Sequence, residues 1–478
     1  MAFPRYERLS QLDNSFLVYE DPNAPLHVAV TQIFEAGPLR APGGGIDLAR
    51  IEDYVLSRLP RIPRYRQRLA RTPLEGHPIW IDDPHFNVRY HLRHARLPKP
   101  GDERLLKRTA GRILSQHLDR GKPLWEMWVI EGLEGDRFAI VSKTHHCMID
   151  GVSGTELLRE LLTQEPVEKV EPPAAWRPRP PPGAAALARD EIARALRAPA
   201  EAAGALWGVA RDRDGARGRL AERARALGRL LASGAPDASA TSLNQPIGPH
   251  RRVDWLTMDL GAIRRVRKAL GGTVNDVVLA TVAGAVRRFL GVDRGEDVDV
   301  LDFRAMAPVS TRAAGESGAL GNRVAAWIVR LPVDEPDPRR RLERVCEATA
   351  ELKRTRQALG AEALVQVGEW TGAVGLSLAS RFIHASQPFN IVVTNVPGPR
   401  EQLYLLGAPM LEAHPMVPLL ASFSTGIALL SYRDALSWGF TADWDLVPDL
   451  HGLVRAVEHS FRRLCEAAEC SAADAGGT

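Results

Sequence analysis

Apolar and polar positions alternate in blocks that set out most of the chain. Trp125 to Ile130 is strand-like, Glu134-Gly135-Asp136 is turn-like, and Phe138 to Thr144 is strand-like again, which together predict a β-hairpin. Ser153 followed by Glu156 has the spacing of a helix-capping box, and Leu157, Leu158, Leu161 and Leu162 supply the apolar face of the helix it would open. The run His145 to Gly151 therefore falls in the loop between a buried strand and a helix start. Further on, Asn275-Asp276 precedes Val277-Val278-Leu279-Ala280, a pattern that predicts an Asn or Asp cap on an apolar helix. Ile391-Val392-Val393 reads as a buried strand ending in a rigid turn over Asn395 to Pro399. The stretch from His414 to Tyr432 carries no Lys, Arg, Asp or Glu. Its prolines, serines and glycine favour two buried strands joined by a turn over a membrane-spanning helix, which needs about 20 mostly apolar residues.

These blocks divide the chain. Residues 1–165 and 241–468 read as two α/β units, 469–478 as a small, polar and disordered tail, and 166–240 as a linker. The linker opens on a proline run that holds neither helix nor central strand, then turns rich in Ala and Arg. Between Arg177 and Ala232 twelve arginines face six acidic residues, while the whole chain is only +4. Leu220, Leu227 and Leu231 lie near one helical face, with Arg219, Arg223, Arg225 and Arg229 around it. Two readings fit: a solvated helix packing its Leu face on a domain, or a basic amphipathic helix resting on an anionic membrane. No internal repeat of 20–50 residues is visible.

Composition narrows the class. Hydrophobic residues make up 45% of 478, enough for large folded cores. The small net charge argues against a nucleic-acid partner. The four cysteines form no CxxC pair, so neither a zinc framework nor a disulfide scaffold is expected. The opening MAFPRYERLS lacks the apolar core of a secretory signal, so a reduced, cytoplasmic setting is expected.

The chemistry sits in His145-His146-Cys147-Met148-Ile149-Asp150-Gly151. An imidazole titrates near neutral pH and can take a proton from an alcohol, then return one to a leaving thiolate. Asp150, four residues after His146, could hold a ring or loop in place, and Gly151 lets the backbone turn. Two ordinary histidines at a strand end fit the same residues. Metal binding is not expected, because neighbouring strand residues face opposite ways and no other His or Cys stands nearby at a ligand spacing.

The seven-residue pattern HHxxxDG is the signature of the CoA-dependent acyltransferase superfamily, which includes chloramphenicol acetyltransferase and peptide-synthetase condensation domains. Other segments narrow the resemblance. Leu9-Ser10-Gln11-Leu12-Asp13, Pro25-Leu26-His27-Val28, Trp80 to Asp83 with Phe86, Pro123-Leu124-Trp125-Glu126, Leu243 to Gly248, Asn275-Asp276, Pro308 to Arg312, Gly321-Asn322 and Asn395 to Pro399 resemble, in order, the bacterial wax ester synthase/diacylglycerol acyltransferase family. The likeness covers almost everything but the linker and the tail.

The resemblance implies two chloramphenicol-acetyltransferase-like α/β domains with a tunnel between them. It implies His146 as general base, His145 as a supporting residue, Asp150 in a structural salt bridge, and Asn275 and Asp276 in a motif needed for activity. Cys147 is read as a small buried thiol. The implied reaction moves a long-chain acyl group from acyl-CoA, as co-substrate and without a further cofactor, to diacylglycerol or a fatty alcohol. The inner face of a membrane or a lipid droplet is the expected surface. A catalytically silent lipid-surface protein and a condensation enzyme with a carrier-protein donor are the rival readings; the intact HHxxxDG pattern argues against the first, the N-terminal block and the Asn395 to Pro399 turn against the second.

Overall fold

The computed structural model describes residues 6–148, 157–170, 172, 175–211, 238–310, 324–355 and 388–469. The chain elements begin with strand β1 (Glu7–Arg8), helix α1 (Gln11–Tyr19) and strand β2 (His27–Glu35). They continue through α2 (Leu48–Arg58), β3 (Gln67–Arg71), β4 (Pro78–Asp82), α3 (Val88–His91), β5 (Leu92–Arg96), α4 (Glu103–Ser115), β6 (Trp125–Leu133) and β7 (Arg137–His145). After α5 (Ala184–Arg211) come β8 (Arg251–Asp259), α6 (Leu260–Leu270), α7 (Val274–Arg288), β9 (Phe303–Ser310), β10 (Val324–Leu331), α8 (Pro338–Thr355) and β11 (Ile391–Val396). The chain closes with β12 (Tyr404–Leu405), β13 (Ala408–Met416), β14 (Thr425–Tyr432), β15 (Ala435–Asp443) and α9 (Leu450–Ala467).

The expected hairpin is β6–β7, and its turn uses positive φ at Gly135 and Asp136. Strand β7 is buried along nearly its whole length because it is a central strand. The sheet order around it is β12-β13-β2-β7-β6-β5. Helix α4 covers one face, where Leu106, Ala110, Ile113 and Leu114 meet Ala29, Ile33, Ala139 and Val141. Lys143 is fully buried on that face; its Nζ donates to Ile113 O (3.1 Å) and Gln116 O (2.9 Å) at the end of α4 and pairs with Glu126 Oε2 at 3.3 Å. The ammonium thus satisfies carbonyls that a helix C-terminus leaves open.

The second six-stranded sheet has the order β10-β9-β11-β14-β15-β8. Its core gathers around α7, whose residues from Asp276 to Val286 are all buried, with α6, α8 and α9 contributing to the same cluster. Among the described residues no single helix is long and apolar enough to cross a membrane; the bent pair formed by α6 and α7 has the composition, but α7 is buried in this core. The cap on α7 differs from the sequence expectation. Thr273 is the N-cap, and Asp276 closes a capping box with it from the third helical position. The Thr hydroxyl one residue before Val274 takes the position that the sequence reading gave to Asn275 or Asp276.

The stretch His414 to Tyr432 does form strand on both sides of a connection, the end of β13 and the whole of β14. They belong to different sheets. Strands β12 and β13 leave the 241–468 stretch and add to the first sheet beside β2, while β14 returns to the second. The two sheets therefore share chain across the boundary read from sequence.

The crossing depends on Gly439 of β15. A Cβ there would fall on Pro415 O of β13 and within 2.8 Å of its carbonyl carbon. Gly439→Ala should lower stability by about 1–3 kcal/mol, the usual cost of overpacking; an unchanged urea unfolding midpoint would contradict this account of the crossing.

Candidate functional site

The site is built where β2 and β7 end together. Their antiparallel register runs unbroken from Glu35↔Arg137 to His27↔His145. Paired residues point to one face, so the two imidazoles come side by side with ring centroids 5.6 Å apart. His145 N–H donates to Leu124 O (3.0 Å), and His146 N–H donates to Leu26 O (2.9 Å). The Pro25–Val28 and Pro123–Glu126 blocks thus flank the histidine pair on its two sides. The chain then turns, with Met148 N–H donating to His145 O (2.9 Å).

Helix α1 closes the site from above. Its N-cap is Ser10, whose hydroxyl oxygen accepts from Asp13 N–H. The Phe16 ring stacks on the half-buried His146 imidazole at 3.9 Å between centroids and 21° between planes. The helix ends at Glu20, whose extended backbone turns its side chain back into the protein.

Glu20 is the centre of a polar cluster. Its Oε1 accepts from Leu26 N–H at 3.2 Å and lies 3.4 Å from Nε2 of both His27 and His145, and 3.6 Å from His117 Nδ1. Its Oε2 accepts from Arg120 Nη2 (2.6 Å) and Nε (3.1 Å). The imidazole contacts are longer than closed hydrogen bonds and are electrostatic in character. Burial alone would raise the Glu20 carboxyl, but His145, His27 and Arg120 outweigh it and hold the group well below the usual carboxylate range. His145 Nδ1 accepts the Cys147 N–H at 3.1 Å, so the His145 proton sits on Nε2, facing Glu20.

Among the described residues, Glu20, His27 and His145 also offer potential metal-ligand atoms within 4.8 Å of one another. A metal on His145 Nε2 would need the proton moved to Nδ1 and the Cys147 contact given up. Sequence reasoning missed Glu20 altogether and gave His27 no role, because only tertiary packing brings them to His145: the β2–β7 register sets His27 beside it, and the end of α1 carries Glu20 to both.

The profile of the wax ester synthase/diacylglycerol acyltransferase catalytic domain matches residues 9–278, and that of the family's C-terminal domain matches residues 320–465. The chain belongs to this family. It is 35% identical to a putative diacylglycerol O-acyltransferase of Mycobacterium tuberculosis, over 97% of this chain and 91% of that protein. It is 30% identical to the O-acyltransferase WSD of Acinetobacter baylyi, over 95% of this chain and 96% of that one. The solved wax ester synthase/diacylglycerol acyltransferase of Marinobacter aquaeolei VT8 superposes with a TM-score of 0.66 at 25% identity, covering 97% of this chain and all of the other.

The family's two-domain architecture, like that of chloramphenicol acetyltransferase, is the one seen in the two six-stranded sheets. Of the motif residues, His145 and His146 lie together as described, while Asp150 and Gly151 fall outside the described residues. Asp276 is buried and its carboxylate accepts from Thr273 N–H (2.8 Å) and Thr349 Oγ (2.8 Å), both in the helical layer of the second sheet. Its hydrogen bonds fix the start of α7. Cys147 is buried among Leu9, Leu17, Trp80, Leu118 and Leu124, and burial pushes its thiol well up, which suits a packing role and not a nucleophile. Leu124 and Trp125 are core residues, with Trp125 stacked between Tyr65 and His91 at 4.5 Å from each. The turn after β11 is scaffold: Gly398 N–H donates to Ser431 Oγ (3.0 Å) and Pro399 O accepts from Arg433 N–H (3.0 Å).

The buried histidines set a pH dependence of stability. Burial pushes both His27 and His91 down to about 4, from 6.5 when free. Between those values the unfolded chain binds more protons than the folded one, so stability rises with pH. It is complete above about pH 6.5 and falls on acidification, by about 2 kcal/mol per histidine at pH 5. The depressed Glu20 acts in the same direction below its ordinary value of 4.5. The urea midpoint should therefore drop clearly between pH 7.5 and pH 5; a flat or rising profile would contradict burial of these rings as neutral groups.

Proposed function

We propose that this chain moves a long-chain acyl group from acyl-CoA to diacylglycerol, forming triacylglycerol, with fatty alcohols as a second acceptor class giving wax esters. The observation that carries the reading is the presentation of His146. In a chain of this family, the second histidine of HHxxxDG stands just past the end of a buried strand, with its backbone fixed to Leu26 and its ring against Phe16.

His146 acts as general base. It takes the proton of the acceptor hydroxyl, the oxygen attacks the thioester carbonyl, and the protonated imidazole returns the proton to the leaving CoA thiolate. Asp150 and Gly151 complete the HHxxxDG pattern in the sequence, and the motif at Asn275 and Asp276 supports the second domain that completes the tunnel. Binding both substrates in one tunnel supplies orientation, which is a large share of such rate enhancements. No cofactor beyond the acyl-CoA co-substrate enters this scheme. The intact histidine pattern favours this reading over that of a silent lipid-surface protein.

We further propose a cytoplasmic protein that rests on an anionic lipid surface. The Arg-rich 219–229 segment lies outside the described residues, but α5 supports the idea. One side of α5 docks on the three-stranded sheet, where Leu187 meets Ile79 and Ile81, and Glu191 accepts from Leu74 N–H and Glu75 N–H at 3.0 Å each. Ile192 and Leu196, one turn apart, are 52% and 75% exposed, with Arg189 and Arg197 also exposed beside them. A basic rim around exposed aliphatic side chains suits an anionic interface.

Purified protein given labelled palmitoyl-CoA and a panel of diacylglycerols and fatty alcohols should form a neutral ester. Folded His146→Ala should lose about 100-fold or more in kcat. No ester from any acceptor would remove the main reading, and near-normal turnover of the variant would remove His146 as base. On sedimentation with phosphatidylglycerol vesicles, the Ile192→Glu/Leu196→Glu double variant should bind less than the parent protein; equal binding would place the membrane contact elsewhere.

A further inference from the structure

We propose that Glu20 is a positioning residue for the reaction: a buried carboxylate that keeps the His145 proton on Nε2 and so holds the turn on which His146 is presented. The proposal rests on the acyltransferase reading, in which His146 is the base.

Three tethers run from one short segment to the His146 turn. Glu20 Oε1 faces His145 Nε2 at 3.4 Å, and the opposite ring nitrogen accepts from Cys147 N–H at 3.1 Å. Glu20 Oε1 also accepts from Leu26 N–H (3.2 Å), while Leu26 O accepts from His146 N–H (2.9 Å). Phe16, four residues before Glu20 and joined to it by the Glu20 N–H to Phe16 O bond of 3.2 Å, stacks on the His146 ring. The end of α1 therefore sets the backbone before, at and after His146, together with the face on which its ring lies.

The chemistry requires an anion at position 20. Three donors meet the carboxylate, Leu26 N–H and two N–H groups of Arg120, and the imidazole Nε2 atoms of His27 and His145 face it at 3.4 Å. Only a group with acceptors at both oxygens satisfies them all. An amide would turn an N–H toward Arg120 or toward the imidazoles. If it met His145, that ring would be driven to carry its proton on Nδ1, and the Cys147 N–H would lose its acceptor. The turn would relax, and His146 would leave its place. Misplacement of a catalytic group by about 1 Å costs on the order of 100-fold in rate.

Position 20 is tested in the full chain with Glu20→Gln and Glu20→Asp. The expected result for Glu20→Gln is a kcat lower by about 30- to 100-fold with the KM for palmitoyl-CoA changed less than about threefold, and partial recovery in Glu20→Asp. A kcat within threefold of the parent overturns the proposal, and so does an equal loss in the two variants.

A second measurement needs no variant of Glu20 to fold. In protein labelled with 15N-histidine, the parent chain at pH 7 should show His145, assigned by loss of its signal in His145→Gln, with the proton on Nε2. A proton on Nδ1, or one equivalent of tightly bound metal by elemental analysis, overturns the proposal. The tautomer is read without substrate, so a chain that makes no ester would refute the acyltransferase reading while this readout still decides the role of Glu20.

Discussion

The pairing of β2 with β7 is the constraint on which the rest of this molecule hangs. Side chains alternate across a strand, so a slip of one residue would move Lys143 and His145 to the opposite face together. Lys143 would leave the carbonyls at the end of α4, and His145 would leave Glu20. The cost is steep in both places, because each would strand a buried charge or leave carbonyls open. The same register that packs the core thus fixes the site, which is why the histidines stand at the end of a central strand and not of an edge strand.

Buried charge links the two domains to that site. Arg251 of β8 is buried; its guanidinium lies 3.8 Å from Asp443 and donates to Gly248 O and His250 O. It also donates to Asn23 O, in the loop that runs from Glu20 to His27. Ala24 of that loop packs with Ile247 and Leu419 of the second half. The loop is therefore held at its ends by the first domain and at its middle by the second. Domain docking and site geometry are parts of one arrangement, and the strand exchange through β13 makes the docking hard to undo.

Much of this was legible in the sequence, for local reasons. The hairpin β6–β7, the buried strand that ends at the histidines and the strands near His414 and Tyr432 follow from alternation and turn chemistry, which act over a few residues; the capping box read at Ser153 and Glu156 lies outside the described residues. The ordered blocks from Leu9 to Pro399 carried the family. What could not be read were contacts that only strand register and the packing of α1 create. Glu20 and His145 are far apart in sequence, and neither the spacing of Glu20 nor that of His27 marks it. The β13 excursion is hidden for the same reason: Ala408–Met416 reads as a buried strand whichever sheet it joins.

Two neighbouring histidines can serve different ends because the strand stops between them. His145 is the last residue of β7, so the pleat directs its ring into the protein, where both ring nitrogens face partners and the residue is spent on holding the turn. His146 is the first residue of the turn, and its half-buried ring leans on Phe16 instead of entering the Glu20 cluster. In the proposed reaction the base must exchange protons with substrate, which a ring committed to a buried carboxylate and a backbone amide cannot do without dismantling its surroundings. On this argument the order of the pair is fixed by the strand end, and exchanging the environments of the two rings would require moving the end of β7 by one residue, which the pairing with β2 forbids.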